Sequence, residues 1–191
     1  RCELLDQRWQ ALLHEGQGLR MALHRVQAAE RQALEGVRAL RPEVEAAAAT
    51  LQEIPEGHPA LAELAQLCRQ ALETYHTLDE ESRHPERADF AQLRDVLLPE
   101  LQSRLAACAA CRTQTIDRQW TTLKQRVTAL WEEWDSLATR LAKAAPASDV
   151  EWEPLQRRQQ ALLVATRGEP AGLKQALELA AVAEALAQEI E

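Results

Sequence analysis

The stretch IDRQWTTLKQRVTALWEEWDSLATRL, residues 116–141, decides how the rest of the chain is read. Its apolar residues fall at Ile116, Trp120, Leu123, Val127, Leu130, Trp134, Leu137 and Leu141, steps of four and three in strict alternation. On an α-helix this spacing gathers the apolar side chains into one seam, the pattern of helices packed side by side at shallow angles. A second helical stripe runs through Leu61, Leu64, Leu67, Leu72, Tyr75 and Leu78.

The composition around these stripes is that of helices. Apolar types make up 46% of the 191 residues, with Leu and Ala dominant and only one Phe, one Tyr and three Ile. Strands favour β-branched and aromatic residues, which are scarce here, whereas Ala, Leu, Glu, Gln and Arg favour helices. With six Gly and no Asn, the chemistry of tight hairpins and phosphate-cradling loops is missing. The net charge of −8, from 30 acidic and 22 basic residues, argues against binding to nucleic acid or to an anionic membrane. No apolar stretch approaches the ~20 residues of a membrane span. Residues Arg1–Gln10 do not read as a signal peptide. The four Cys sit inside helical patterns rather than in a loop framework, which reads as reduced and intracellular.

Pro and Gly interrupt the helical patterns at four places: residues 54–59 (IPEGHP), 83–86 (RHPE), 144–149 (AAPASD) and 167–170 (RGEP). Across these breaks the chain repeats itself. Asp6-Gln7-Arg8-Trp9 recurs as Asp117-Arg118-Gln119-Trp120, an offset of 111 residues, with Leu5 and Ile116 four residues before each Trp. Leu12, Leu19 and Leu23 then match Leu123, Leu130 and Trp134, and Gly57-His58-Pro59-Ala60 matches Gly168-Glu169-Pro170-Ala171 at the same offset. Pro42 and Leu51 match Pro154 and Leu163 at 112, a slip of one residue between the anchors. Each period holds three helices that cannot bury their stripes alone, so the expected fold is all-α: antiparallel three-helix bundles stacked end to end.

Trp-x-x-Leu followed by apolar positions ten and fourteen residues after the Trp resembles the end of the third helix of a spectrin repeat. In that family this helix runs on into the first helix of the next repeat. Trp152 lies near the place where that first helix usually carries its other Trp; the earlier copy has Leu40 or Arg41 there. The period is more similar to dystrophin, nesprin and plakin relatives than to spectrin itself. In this phasing residues 1–23 are the tail of a preceding repeat and residues 24–141 are one repeat running into the next. Residues 150–191 are then the first two helices of a second, incomplete repeat. Pro42 and Pro154 are expected each to start a helix, and Pro99 to kink the third helix. Ala144–Asp149 is expected to bend, because Pro146 opposes helix at Ala145 and Ser148 or Asp149 is a good N-cap. The stripes of the last two helices, Leu155, Leu162 and Leu163 on one and Leu173, Leu177, Val182, Leu186 and Ile190 on the other, are expected to lack a third partner. A homodimer through this C-terminal hairpin is one way to supply it.

Chemistry finds little support in the residues. Cys108-x-x-Cys111 places two thiols on one helix face, but zinc wants four ligands and no second pair accompanies them; small apolar core residues are the expected role. The five His are scattered at 14, 24, 58, 76 and 84. The consecutive carboxylates Asp79-Glu80-Glu81 and Glu132-Glu133 splay around a helix instead of converging. Trp120, Trp131 and Trp134 fit core packing better than a ligand-stacking box, with Trp131 one step off the seam. No catalytic, cofactor-binding or metal-binding residue is assigned, and no enzymatic activity is expected. The resemblance implies a structural rod segment of a cytoskeletal linker, a jointed spacer and protein-interaction surface. Its setting would be cytoplasmic and cytoskeleton-associated, with protein partners linked to filaments or membranes. Two other readings stand beside it: an amphipathic-helix protein of lipid surfaces, similar to exchangeable apolipoproteins, and an all-α adhesion-adaptor bundle.

Overall fold

The computed structural model describes residues 2–84, 89–144 and 152–190. Among the described residues the secondary structure is helical throughout, and none is in a strand. Helix α1 spans Cys2–Glu53, a 3-10 turn Pro59–Leu61 leads into α2 (Ala62–Ser82), and α3 is the short turn Phe90–Gln92. A π turn, Leu93–Leu97, joins α3 to α4 (Leu98–Ala144); α5 (Trp152–Ala165) and α6 (Leu173–Ile190) follow.

The three prolines behave differently. Pro154 is the third residue of α5, in the first turn, where its missing N–H costs nothing. Pro42 does not start a helix: α1 passes through it. The loss of one backbone bond and the ring clash cost about 3 kcal/mol inside a helix. Pro42 is exposed, however, while Val37, Leu40, Val44 and Ala47 on the opposite face are buried. Burying a large aliphatic side chain is worth about 1.5–3 kcal/mol, so a few of them outweigh the proline. Pro99 is preceded by the π turn, in which the Leu98 N–H reaches back five residues to the Leu93 carbonyl. The wider turn takes up the crowding that Pro99 would impose on a regular one, so regular helix resumes with Pro99 in its first turn.

Two of the breaks can be followed in detail. After α1, Pro55 cannot donate, Gly57 takes a positive φ of 74°, and the His58 N–H bonds to the Pro55 carbonyl at 3.4 Å. Before α6, the Gln175 side chain reaches back to accept the Ala171 N–H at 2.7 Å, tying the loop to the first helical turn. The bend expected at Ala144–Asp149 falls on residues 145–151, outside the described residues.

The chain divides into two compact units, Arg1–Ala49 with Gln66–Cys108, and Thr50–Ala65 with Ala109–Glu191, and the divisions fall inside helices rather than at loops. In the first unit, α1 buries Ala29, Ala33, Val37, Leu40, Val44 and Ala47 at steps of four and three. Helix α2 adds Cys68, Ala71 and Leu78, and the segment from Phe90 adds Leu93, Leu98, Leu101, Leu105 and Cys108. Gly36 marks a close approach of α1 to α4, since a methyl group there would stand 2.8 Å from Leu98 Cδ1. Arg104 of α4 donates to the Gln70 carbonyl of α2 at 3.3 Å.

In the second unit the seam of residues 116–141 is the centre of a core. Trp120, Leu123, Val127 and Leu130 of α4 cluster with Leu162 of α5 and with Ala176, Ala183 and Ala187 of α6. The flank of α5 and α6 that the sequence leaves open is therefore covered by α4. On α6 the expected stripe shifts. Val182 is exposed and Leu177 half-buried, while Ala176, Ala183 and Ala187 face the core with Leu173 and Leu186. Small side chains let neighbouring helices come close, and close packing over a long contact gains more than two large side chains held further out.

Candidate interaction surface

Helix α1 carries an uncovered apolar face. Every side chain from Gln7 to Ala28 of α1 is exposed, and burial begins only at Ala29. Trp9, Leu12, Leu19, Leu23 and Val26 lie in that segment at helical steps, with Trp9 63% and Leu19 72% accessible. These positions are the repeat counterparts of Trp120, Leu123, Leu130, Trp134 and Leu137. Gly16 stands where the second copy has Val127, and among the described residues nothing lies within 4 Å of a Cβ built on it. The stripe is thus interrupted at its middle by a residue that lets another backbone come close.

The stripe runs into a cleft of about 710 Å³ in the same unit. Val26, Ala29 and Gln32 of α1 line one side; Asp89, Phe90 and Arg94 line the other. Asp89 caps the following helix, its carboxylate accepting the Ala91 and Gln92 N–H groups at 3.1 Å each, beside the buried Phe90 that lines the cleft. Arg94 donates to Gln32 Oε1 across the cleft at 3.3 Å and to both Asp95 carboxylate oxygens at 2.6 Å. The hydrogen bonds from Arg94 hold the Asp95 carboxyl below its ordinary pKa, and Asp95 in turn raises that of Arg94. Both groups are solvated, so the pair orients the guanidinium rather than stabilising the fold appreciably.

The side chains weighed for chemistry are dispersed. Cys108 is buried and Cys111 partly so, with Cys111 Sγ 3.9 Å from Thr115 Oγ1. What the sequence did not signal is that Cys108 faces Cys68 of α2, 40 residues away, across 2.9 Å between sulfurs. His14 and His24 are exposed on α1, and His76 stands 3.9 Å from Glu80 in an exposed helical pair. Asp79 pairs with Arg83 at 2.6 Å, and Glu132 and Glu133 are exposed. Trp120 is buried, with its Nε1 donating to the Gly168 carbonyl at 3.2 Å and Lys124 Nζ 5.9 Å from the ring centre. Trp134 is half-buried and Trp131 is 44% exposed, in keeping with its place off the seam. Among the described residues no group of three or more His, Cys, Asp or Glu is placed to hold a metal ion. Likewise, no described helix is long and apolar enough to cross a membrane. Compared with known proteins, the chain matches no family model, no curated protein and no solved structure.

Proposed function

We propose that the chain is a segment of a structural rod, built of spectrin-like three-helix repeats and serving as a jointed spacer and protein-interaction surface in a cytoskeletal linker or scaffold. The observation that carries this reading is the pair of twin stripes. The Trp120 stripe lies under two helices, whereas its counterpart on α1 is bare. A face of the same pattern calls for a cover of the same kind, a helix pair with a small-residue ridge like that of α5 and α6. Lengths of 52 and 47 residues in α1 and α4 also suit a spacer, since at 1.5 Å per residue they span about 78 and 70 Å.

The test uses the full chain and a separate polypeptide of residues 150–191 as the probe. Hydrogen exchange of residues 7–26 should slow when the probe is added, and Leu19→Glu should abolish that protection without changing exchange in the cores. No protection at any probe concentration would remove the support that the twin stripes give.

The bare stripe also favours a second reading, an amphipathic helix for lipid surfaces, because Trp and Leu along one face of a long helix suit a membrane interface. Flotation with neutral and anionic vesicles separates the two. A rod segment stays at the bottom with its helix content unchanged, whereas a lipid-surface protein floats.

A further inference from the structure

The opposition of Cys68 and Cys108 goes beyond core packing. A buried thiol ordinarily serves as a small apolar side chain and needs no sulfur for a neighbour. Here two of the chain's four cysteines, on α2 and α4, meet at 2.9 Å with 0% and 4% of their surfaces accessible. That is closer than two sulfur atoms rest in simple contact, and a disulfide would bring them to about 2.05 Å, a small further movement. A metal does not explain the pair, because no third Cys, His, Asp or Glu among the described residues joins it in a ligating group. We propose that Cys68 and Cys108 form a reversible disulfide under peroxide, latching α2 to α4 within the first unit.

The step balances in two stages. The Cys108 thiol, the more accessible of the two, gives up its proton and attacks one peroxide oxygen; the O–O bond breaks, a sulfenic acid forms on Cys108, and the departing hydroxide takes up that proton and leaves as water. The Cys68 sulfur then attacks the Cys108 sulfur, the S–S bond forms, and the hydroxyl departs with the Cys68 proton as a second water. Two thiols are oxidised and one peroxide is reduced to two waters; an added dithiol reverses the change by exchange. The bond closes a loop across 40 residues. A cross-link of that span favours the folded state by about two to three orders of magnitude in the folding equilibrium. The half-buried Cys111, one turn along α4 from Cys108, is the rival partner that sequence spacing alone would choose.

Reduced full-length chain carrying Cys2→Ser, which removes the one cysteine outside these three, is treated with hydrogen peroxide under native conditions. It is then digested without reductant. The expected product is one intramolecular link between the peptides holding Cys68 and Cys108, a mass lower by two hydrogens, and a urea midpoint that rises and returns with dithiothreitol. In Cys68→Ala the link vanishes and Cys108 sulfenic acid becomes trappable by dimedone. Should that variant fail to fold, the link map of the unsubstituted pair still decides. A Cys108–Cys111 link, or a Cys68–Cys108 link that forms only in urea, overturns the proposal.

Discussion

Trp9 and Trp120 occupy the same place in two copies of one sequence pattern, yet the first is 63% accessible and the second 5%. In both copies the Gly of the next loop lies 48 residues after the Trp, at Gly57 and Gly168. In the second copy that separation is folded double: α5 returns along α4, Gln159 Nε2 donates to the Leu130 carbonyl at 3.3 Å, and Trp120 Nε1 meets the Gly168 carbonyl at 3.2 Å. In the first copy α1 continues from Trp9 to Glu53 without a break, about 66 Å of helix at 1.5 Å per residue. Pro146 stands opposite Leu34 or Glu35, depending on whether the offset is 112 or 111, and the extra residue of the second copy falls between the same anchors. An alternating seam creates an adhesive helix face. On α1 that face is bare, whereas on α4 it is covered by α5 and α6.

The largest effect that would break or sharpen this comparison is the loss of the two Trp side chains. Trp120→Ala should cost roughly 3–5 kcal/mol, because it opens a cavity among Leu123, Leu162 and Ala176 and removes the bond from Nε1 to the Gly168 carbonyl. Trp9→Ala should stay within about 0.5 kcal/mol, as for an exposed position. Urea unfolding followed by circular dichroism measures both. Equal losses would mean that the Trp9 face is covered in solution after all, and equal indifference would mean that the α4 seam is not a core.

How much of this was legible in the sequence depends on what the pattern could carry. The helices and the α4 seam were readable, because periodicity records which residues share a face: Trp120, Leu123, Val127 and Leu130 are all buried. The partner of a face was not. Spacing within residues 150–191 gives two stripes but does not say that α4 lies across them, since that contact joins residues far apart in sequence, such as Leu130 and Gln159. Residue size misled in the same region: Val182 and Leu177 looked like core, and Ala176, Ala183 and Ala187 took the face. Spacing alone makes Pro42 a helix start, but burial of its neighbours outweighs its backbone cost and α1 runs through it. The Cys68–Cys108 contact escaped for a related reason, because helical spacing points from Cys108 only to Cys111.

The next effect in size concerns Gln159, the polar residue at the centre of the α4–α5 contact. It is 1% accessible; its amide nitrogen donates to Leu130, while its Oε1 is buried with no hydrogen-bond partner among the described residues. A buried polar atom without a partner costs about 1–3 kcal/mol, and the single bond on the other side of the amide returns about 0.5–1.5 kcal/mol. The carbonyl of Leu130 remains within regular helix, so it is not orphaned by losing the Gln. Gln159→Leu should therefore raise stability by about 1 kcal/mol, read as a higher urea midpoint. A loss of more than about 1 kcal/mol would show that the amide fixes the register of α5 on α4, a specificity role that outweighs its burial cost.

The smallest effect tests the one gap in the α1 stripe. Gly16 and Val127 are counterparts, but a Cβ on Gly16 meets nothing within 4 Å among the described residues, whereas Val127 is 2% accessible inside the second core. Gly in a helix interior is worth roughly 0.5–1 kcal/mol less than Ala. The segment around Gly16 carries no buried side chain, so most of that difference should appear locally, as slower hydrogen exchange over residues 7–26 in Gly16→Ala. The global urea midpoint should move by less than about 0.5 kcal/mol. Binding should run the other way, if the stripe takes a helix pair as its twin does. A methyl group at residue 16 would hold an incoming backbone away from the point of closest approach, so Gly16→Ala should weaken capture of the 150–191 probe even as it firms the helix. Stronger capture with the firmer helix would show that preorganisation of α1, and not close approach at Gly16, limits binding, and would make the Gly an accident of the first copy rather than part of its surface.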